Sequence, residues 1–318
     1  MNNDDLENTG FLRQGGWRDF LLLTGLFALT LVIVIVWTPA PASTQLPTSG
    51  DVGSVQPAPG KDASVQIRLP EQYRMPVRWG NLGPQLVAAG AIDAERFIQL
   101  YADGGRPLTT TQQELLYRNS DEPIVIDYHN ARFVLNFFWA LGLVNQNPVL
   151  TEGPMMQQSG GDIGRFASTG GWTLGQHPAT ELYASQPLIT LTTEQQTRLE
   201  QVAYNVYRPC CNNHTAFADC NHGMAMLGLL ELLASQDATV EELFAAAKAV
   251  NGFWFPQQVV ETAVFFKATM NLDYADVDPR MATGPEVFSG SGYNQVRQWL
   301  AANDLLDQPQ GGGGSCST

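Results

Sequence analysis

Phe133-Val-Leu-Asn-Phe-Phe-Trp-Ala-Leu-Gly-Leu-Val144 is apolar on nearly every side, yet its 12 residues are too few to cross a bilayer as a helix. Such a segment belongs inside a globular core, so it marks the expected centre of the fold. Around it the pattern is mainly helical. Apolar residues recur at spacings of three and four over Asp93 to Ala102 and over Thr110 to Tyr117. Thr193 with Gln196 suggests a capped start for a helix running toward Tyr207, stopped by Pro209. Cys220 to Ser235 is strongly apolar; Thr239 with Glu242 forms a capping box for the next helix, and Asn251-Gly252 offers its stop. Pro256 opens a further helix to about Met270, and a last one is expected from Tyr293 to Leu305. Val125 to Tyr128 reads as an isolated extended piece, and Gly153 to Gly171 as a loop. The fold class expected is therefore mainly α, an all-helical or nearly all-helical globular domain over residues 64–307.

What precedes that domain points to a membrane. Phe20 to Trp37 carries no charge, is dominated by Leu, Val, Ile and Phe, and is bracketed by Trp17 and Trp37. That is a spanning helix with interfacial aromatics. Arg13 and Arg18 precede it and no basic residue follows until Lys61, so residues 1–19 are expected in the cytoplasm and the bulk of the chain outside it. Ala40-Pro41-Ala42 allows the alternative of a cleaved export signal. Residues 38–63 are rich in Pro, Ala, Ser, Thr and Gly, a composition that reads as a linker, and 308–318 as a Gly-rich tail ending close to Cys316.

The chain has 31 acidic and 17 basic residues among 318, a formal net charge of −14, which disfavours nucleic acid as a partner. The expected partners are the bilayer, through residues 20–37, and another envelope protein. Several catalytic signatures are missing: a Gly-x-Ser-x-Gly elbow, a Walker loop, a His-Glu-x-x-His pair and a dinucleotide glycine fingerprint.

Reactive chemistry is instead concentrated in one stretch, Arg208-Pro-Cys-Cys-Asn-Asn-His-Thr-Ala-Phe-Ala-Asp-Cys-Asn-His-Gly-Met-Ala-Met226. Three of the four cysteines and two of the four histidines lie here. Thiolates and imidazoles are the preferred ligands of copper and zinc, so Cys210, Cys211, His214, Cys220 and His222 are the candidate ligands of a metal ion. Met155, Met156, Met224 and Met226 are further thioether candidates for copper(I), although methionines on helices more often fill cores. Asp219 reads as the N-cap of the following helix. Cys220 then sits at the positive end of the helix dipole, which favours its thiolate. Gly223 would let another backbone approach closely.

Two other readings use the same residues. In an oxidising compartment Cys210 or Cys211 pairs with Cys220 as a structural staple. Alternatively, Cys220 attacks as a thiolate and Cys211 or Cys316 resolves the mixed disulfide. Pro209-Cys210-Cys211 with His214 and Cys220 resembles the Pro-Cys-Tyr-Cys-Gly-Cys motif of a bacterial family of uncharacterised membrane-bound proteins, without its alternating cysteines. The string Asp219-Cys220-Asn221-His222-Gly223-Met224-Ala225 resembles the signature of an uncharacterised exported bacterial group, and that resemblance implies no activity.

Overall fold

The computed structural model describes residues 69–306. The expected span over 20–37, the linker and the tail carrying Cys316 lie outside the described residues, and no helix among those described is long and apolar enough to cross a membrane.

The first element among the described residues is a strand. β1 (Gln72–Gly80) alternates buried Met75, Val77 and Trp79 with exposed Arg74, Pro76 and Arg78, the period of a half-buried strand. It pairs antiparallel with β2 (Ser120–Asp127), and the expected isolated piece at Val125 to Tyr128 is the end of this second strand. Between them come α1 (Leu82–Ala88) and α2 (Ala94–Asp103), the latter capped by Asp93, whose side chain accepts the Arg96 amide. The apolar centre read from the sequence is α3 (Ala131–Val144). Trp79 of β1 lies edge-on to Phe137, with ring centroids 4.9 Å apart, which seats the sheet on this helix.

The C-terminal half holds α4 (Thr193–Ala203), α5 (Asn221–Ser235), α6 (Val240–Trp254), α7 (Pro256–Met270) and α8 (Gly290–Ala302). The capping box of α4 is Thr192 with Gln195, one residue earlier than expected, and that of α6 is Thr239 with Glu242 as read. Two other boundaries differ. Asn251-Gly252 does not end α6, because Asn251 is buried inside the helix, which runs on to Trp254. The last helix starts three residues early because Ser289 caps it, accepting the Gly292 amide. The stretch from Gly153 to Gly171 is not one loop: Pro154–Ser159, Ile163–Arg165 and Ala167–Gly170 are short helical turns.

α3 and α5 form the heart of the domain, and they meet through glycine. A Cβ added at Gly228 would lie 2.5 Å from the Phe138 carbonyl oxygen and 2.6 Å from the Gly142 nitrogen. A Cβ on Gly142 would lie 2.1 Å from the Met224 carbonyl oxygen. Backbone therefore packs on backbone at this crossing. Glu231 of α5 is fully buried nearby, with neither carboxylate oxygen hydrogen-bonded. Burial raises its pKa well above the ordinary carboxylate value, leaving it a neutral acid beside Asn145. The small cluster of Phe255, Val259 and Phe288 joins α7 to the turn before α8.

Candidate thiol and metal site

The three cysteines converge in front of the first turn of α5. Their sulfurs all lie within 4.8 Å of one another. Cys210 Sγ and Cys220 Sγ are 3.7 Å apart, and Cys211 Sγ is 3.9 Å from Asp219 Oδ1. No disulfide joins them, and exposure grades from Cys210 at the surface to Cys220 in the interior.

Local chain geometry explains the convergence. Pro209 follows Arg208 in a turn closed by the Cys211 amide donating to the Arg208 carbonyl at 3.4 Å, which suits the fixed φ of proline. The chain then returns so that Tyr207 pairs with His214 and the Thr215 amide donates to the Val206 carbonyl. The turn is clamped from outside by α8. The Gly290 amide donates to the Cys211 carbonyl at 2.7 Å, and the Ser291 amide to Asn212 Oδ1 at 2.7 Å. Cys220, not Asp219, is the N-cap residue of α5, with extended φ and ψ of −125° and 167°. The thiol still sits at the positive end of the helix, one position earlier than expected.

Asp219, freed from capping, belongs to the residue that organises the site. Arg208 is only 3% exposed, and every nitrogen of its guanidinium is engaged. Nε donates to Cys220 Sγ at 3.0 Å, Nη1 to the Asn213 carbonyl at 3.1 Å, and Nη2 to the Phe217 carbonyl at 2.8 Å and to Asp219 Oδ1. Asp219 Oδ2 in turn accepts from Asn213 Nδ2 at 2.8 Å. Gly223 makes this possible: a Cβ there would stand 2.5 Å from the guanidinium carbon. The glycine thus admits an arginine side chain, not a second backbone as the sequence suggested.

These contacts divide the charge unevenly. Hydrogen bonds from Cys210 and Cys211, followed by the Arg208 charge and His222, hold the Cys220 pKa well below the ordinary thiol value despite burial. Cys210 is pushed far up, chiefly by its hydrogen bonds to the other two thiols. For Cys211 the bond with Cys210 lowers the pKa, but hydrogen bonding to Cys220 and burial outweigh it, and the value rises to about 11. For Arg208, burial acts to lower the pKa, and the facing Cys220, Cys211 and Asp219 more than offset it, so it stays charged. Within the cluster it is thus the Cys220 thiol whose pKa is drawn down, with the Arg208 guanidinium and the other two cysteines against it.

The two candidate histidines fare differently. His222 lies beside Cys220, its ring 4.5 Å from that of Phe255, with Nδ1 buried and unpartnered. His214 stacks on Tyr204 at 4.9 Å and sits edge-on to Tyr207, and burial followed by the Arg208 charge lowers its pKa. Neither joins the three sulfurs as a set of mutually close donors. Met155, Met224 and Met226 are buried in the main core, the role more usual for helix methionines.

The sequence reading missed Arg208 altogether. The one clue was its position, directly before the cysteine pair and 15 positions before a glycine in a helix's first turn. The chain matches no known protein family, no curated protein and no solved structure.

Proposed function

We propose that this chain is a membrane-anchored, extracytoplasmic metal-binding protein that handles zinc or copper through Cys210, Cys211 and Cys220, for supply to or sensing by a neighbouring envelope protein. The anchor is the apolar stretch 20–37. The observation that carries the reading is the sulfur geometry. Two thiolates at about 2.3 Å from a tetrahedral zinc ion lie about 3.8 Å apart, and Cys210 and Cys220 already stand 3.7 Å apart. An all-sulfur donor set selects copper(I) and zinc over hard cations. Arg208 supports it further, because an N–H donor on a ligand sulfur and a compensating positive charge stabilise clustered thiolates. His222 beside Cys220 is the nearest imidazole to the set. A bound ion would supply a soft, exchangeable centre, released by competing thiols or by protonation of its ligands.

The test is metal content and free thiols measured together on protein purified anaerobically without an affinity tag. About one ion per chain is expected, lost in the Cys220→Ala, His222→Ala double variant; full metal content in that variant sinks the reading.

A second reading is favoured by one observation. A thiolate at Cys220 facing a thiol at Cys210 across 3.7 Å is also a dithiol ready to oxidise. Metal-free protein with a reducible Cys210–Cys220 bond would make a thiol–disulfide role primary.

A further inference from the structure

Among the described residues, no His, Asp or Glu donor atom joins the three sulfurs in the set whose members all lie within 4.8 Å of one another. The neighbouring candidates are each held elsewhere. Asp219 has both oxygens occupied, Oδ1 by Arg208 Nη2 and Oδ2 by Asn213 Nδ2. His214 is stacked on Tyr204 and set edge-on to Tyr207. His222 has its ring against Phe255 and Trp254. What the fold offers an ion here is a triangle of sulfur alone.

Its corners are not equally fixed. Cys220 is buried, is the N-cap residue of α5, and accepts a hydrogen bond from Arg208 Nε at 3.0 Å. Cys211 is half-buried and its backbone is pinned: its carbonyl accepts the Gly290 amide at 2.7 Å, and the next side chain, Asn212, accepts the Ser291 amide. Cys210 is the exposed corner, its Sγ 3.7 Å from that of Cys220. An incoming ligand therefore meets Cys210 first, while the two inner corners keep their places.

Coordination number separates the two ions named above. Structural zinc takes four protein ligands in a tetrahedron, and catalytic zinc with an open position is held with at least one imidazole. Thiolates alone suit copper(I), a soft monovalent ion that three of them satisfy. Arg208 fits the lower ionic charge, because its guanidinium sets a positive charge against the innermost sulfur. Resting on the metal-binding reading above, we infer that the ion is copper(I), bound by Cys210, Cys211 and Cys220 alone, and that Cys210 is the ligand exchanged when the ion passes to a thiol-bearing acceptor. The transfer changes no oxidation state. The acceptor's thiol gives up its proton and its sulfur bonds to copper; the bond from copper to Cys210 breaks, and Cys210 leaves as a thiolate that takes up the proton. Cys211 and Cys220 hold the ion throughout that step.

The experiment uses the full chain in detergent, kept anaerobic and loaded with copper(I) supplied as its acetonitrile complex. About one copper(I) per chain is expected to stay bound through about a tenfold excess of zinc(II). X-ray absorption at the copper edge should show three sulfur neighbours and no nitrogen or oxygen. Glutathione is then titrated in as the acceptor, and the alkylation of each cysteine is read by mass spectrometry. Cys210 is expected to become reactive while copper is still bound and Cys211 and Cys220 are still protected. Displacement of copper by zinc, or a nitrogen or fourth neighbour at copper, overturns the inference. So does reactivity of Cys211 or Cys220 that appears before, or together with, that of Cys210. In all of these cases the broader metal-binding reading survives. A chain that takes up neither copper(I) nor zinc(II) defeats that reading itself, and this inference falls with it.

Discussion

Gly223→Ala is the most informative single substitution, because it disturbs the site without touching a sulfur. By intrinsic propensity an alanine inside a helix gains about 1 kcal/mol over glycine. Here the new methyl group would stand 2.5 Å from the guanidinium carbon of Arg208 and 2.6 Å from Nη2, where ordinary contact needs about 3.5 Å or more. The arginine must retreat by about 1 Å. An exposed arginine would yield at little cost, but this one is held by Cys220, Asn213, Phe217 and Asp219. Breaking a buried, hydrogen-bonded ion pair costs about 3–5 kcal/mol, so the net destabilisation expected is about 2–4 kcal/mol by urea unfolding. The thiolate should respond as well. Cys220 has a folded-state pKa below its unfolded one, so its contribution to stability is present above the unfolded value and fades as pH falls through the folded value. With Arg208 displaced, thiolate absorbance near 240 nm should appear at higher pH than in wild type, and the acid-side loss of stability should shift upward with it. A variant more stable than wild type by about 1 kcal/mol, with an unmoved thiolate titration, would refute the role given to Arg208.

Other substitutions test the frame around the site. Gly228→Ala drives a methyl into the backbone of α3 and is expected to cost about 3 kcal/mol or more, read as a lowered melting temperature; a neutral result would mean that α3 and α5 do not cross as closely as described. Glu231 has a raised folded-state pKa, so its contribution is intact below its unfolded value near 4.5 and is lost as pH rises toward the folded value. Glu231→Gln should therefore stabilise the domain at pH 8 and make little difference at pH 4, and equal stability at both would argue against a buried neutral acid. Lys248 Nζ donates to the carbonyls of Tyr274, Ala275 and Val277, so Lys248→Met should speed amide hydrogen exchange in the segment after α7 by roughly tenfold, as a loss near 1.5 kcal/mol predicts. Unchanged exchange there would show that the ammonium is not what holds that turn.

What was legible in the sequence was local. The α6 capping box, the proline opening α7 and the apolar run of α3 each carry their signal within a few residues, and each was placed correctly or within two residues. The three cysteines were legible for the same reason, lying within 11 positions of one another. β1 was not. Pro76 interrupts it, and the register shifts between Arg74 and Arg78, so the alternation of Met75, Val77 and Trp79 does not look like a typical strand. Arg208 illustrates the deeper limit. A lone arginine before a proline reads as a solvated side chain, and its burial is decided by a missing Cβ on another element and by carbonyls that only the folded loop brings round. The histidines show the converse: proximity in sequence placed His214 among the ligands, while the return of the chain against Tyr207 turned it toward Tyr204 instead.

The clamp of α8 on the cysteine turn also has a consequence in time. Asn212 and Ser291 are 79 positions apart in the chain, so the turn carrying Cys210 and Cys211 is synthesised well before the helix that braces it. At ordinary elongation rates that interval is roughly 4–16 s, during which the pair leaves the ribosome without its outer support. The early chain therefore passes through a stage in which two neighbouring thiols meet their surroundings unbraced, and whichever reaches them first, metal ion, chaperone or oxidant, acts on a site more accessible than the mature domain presents.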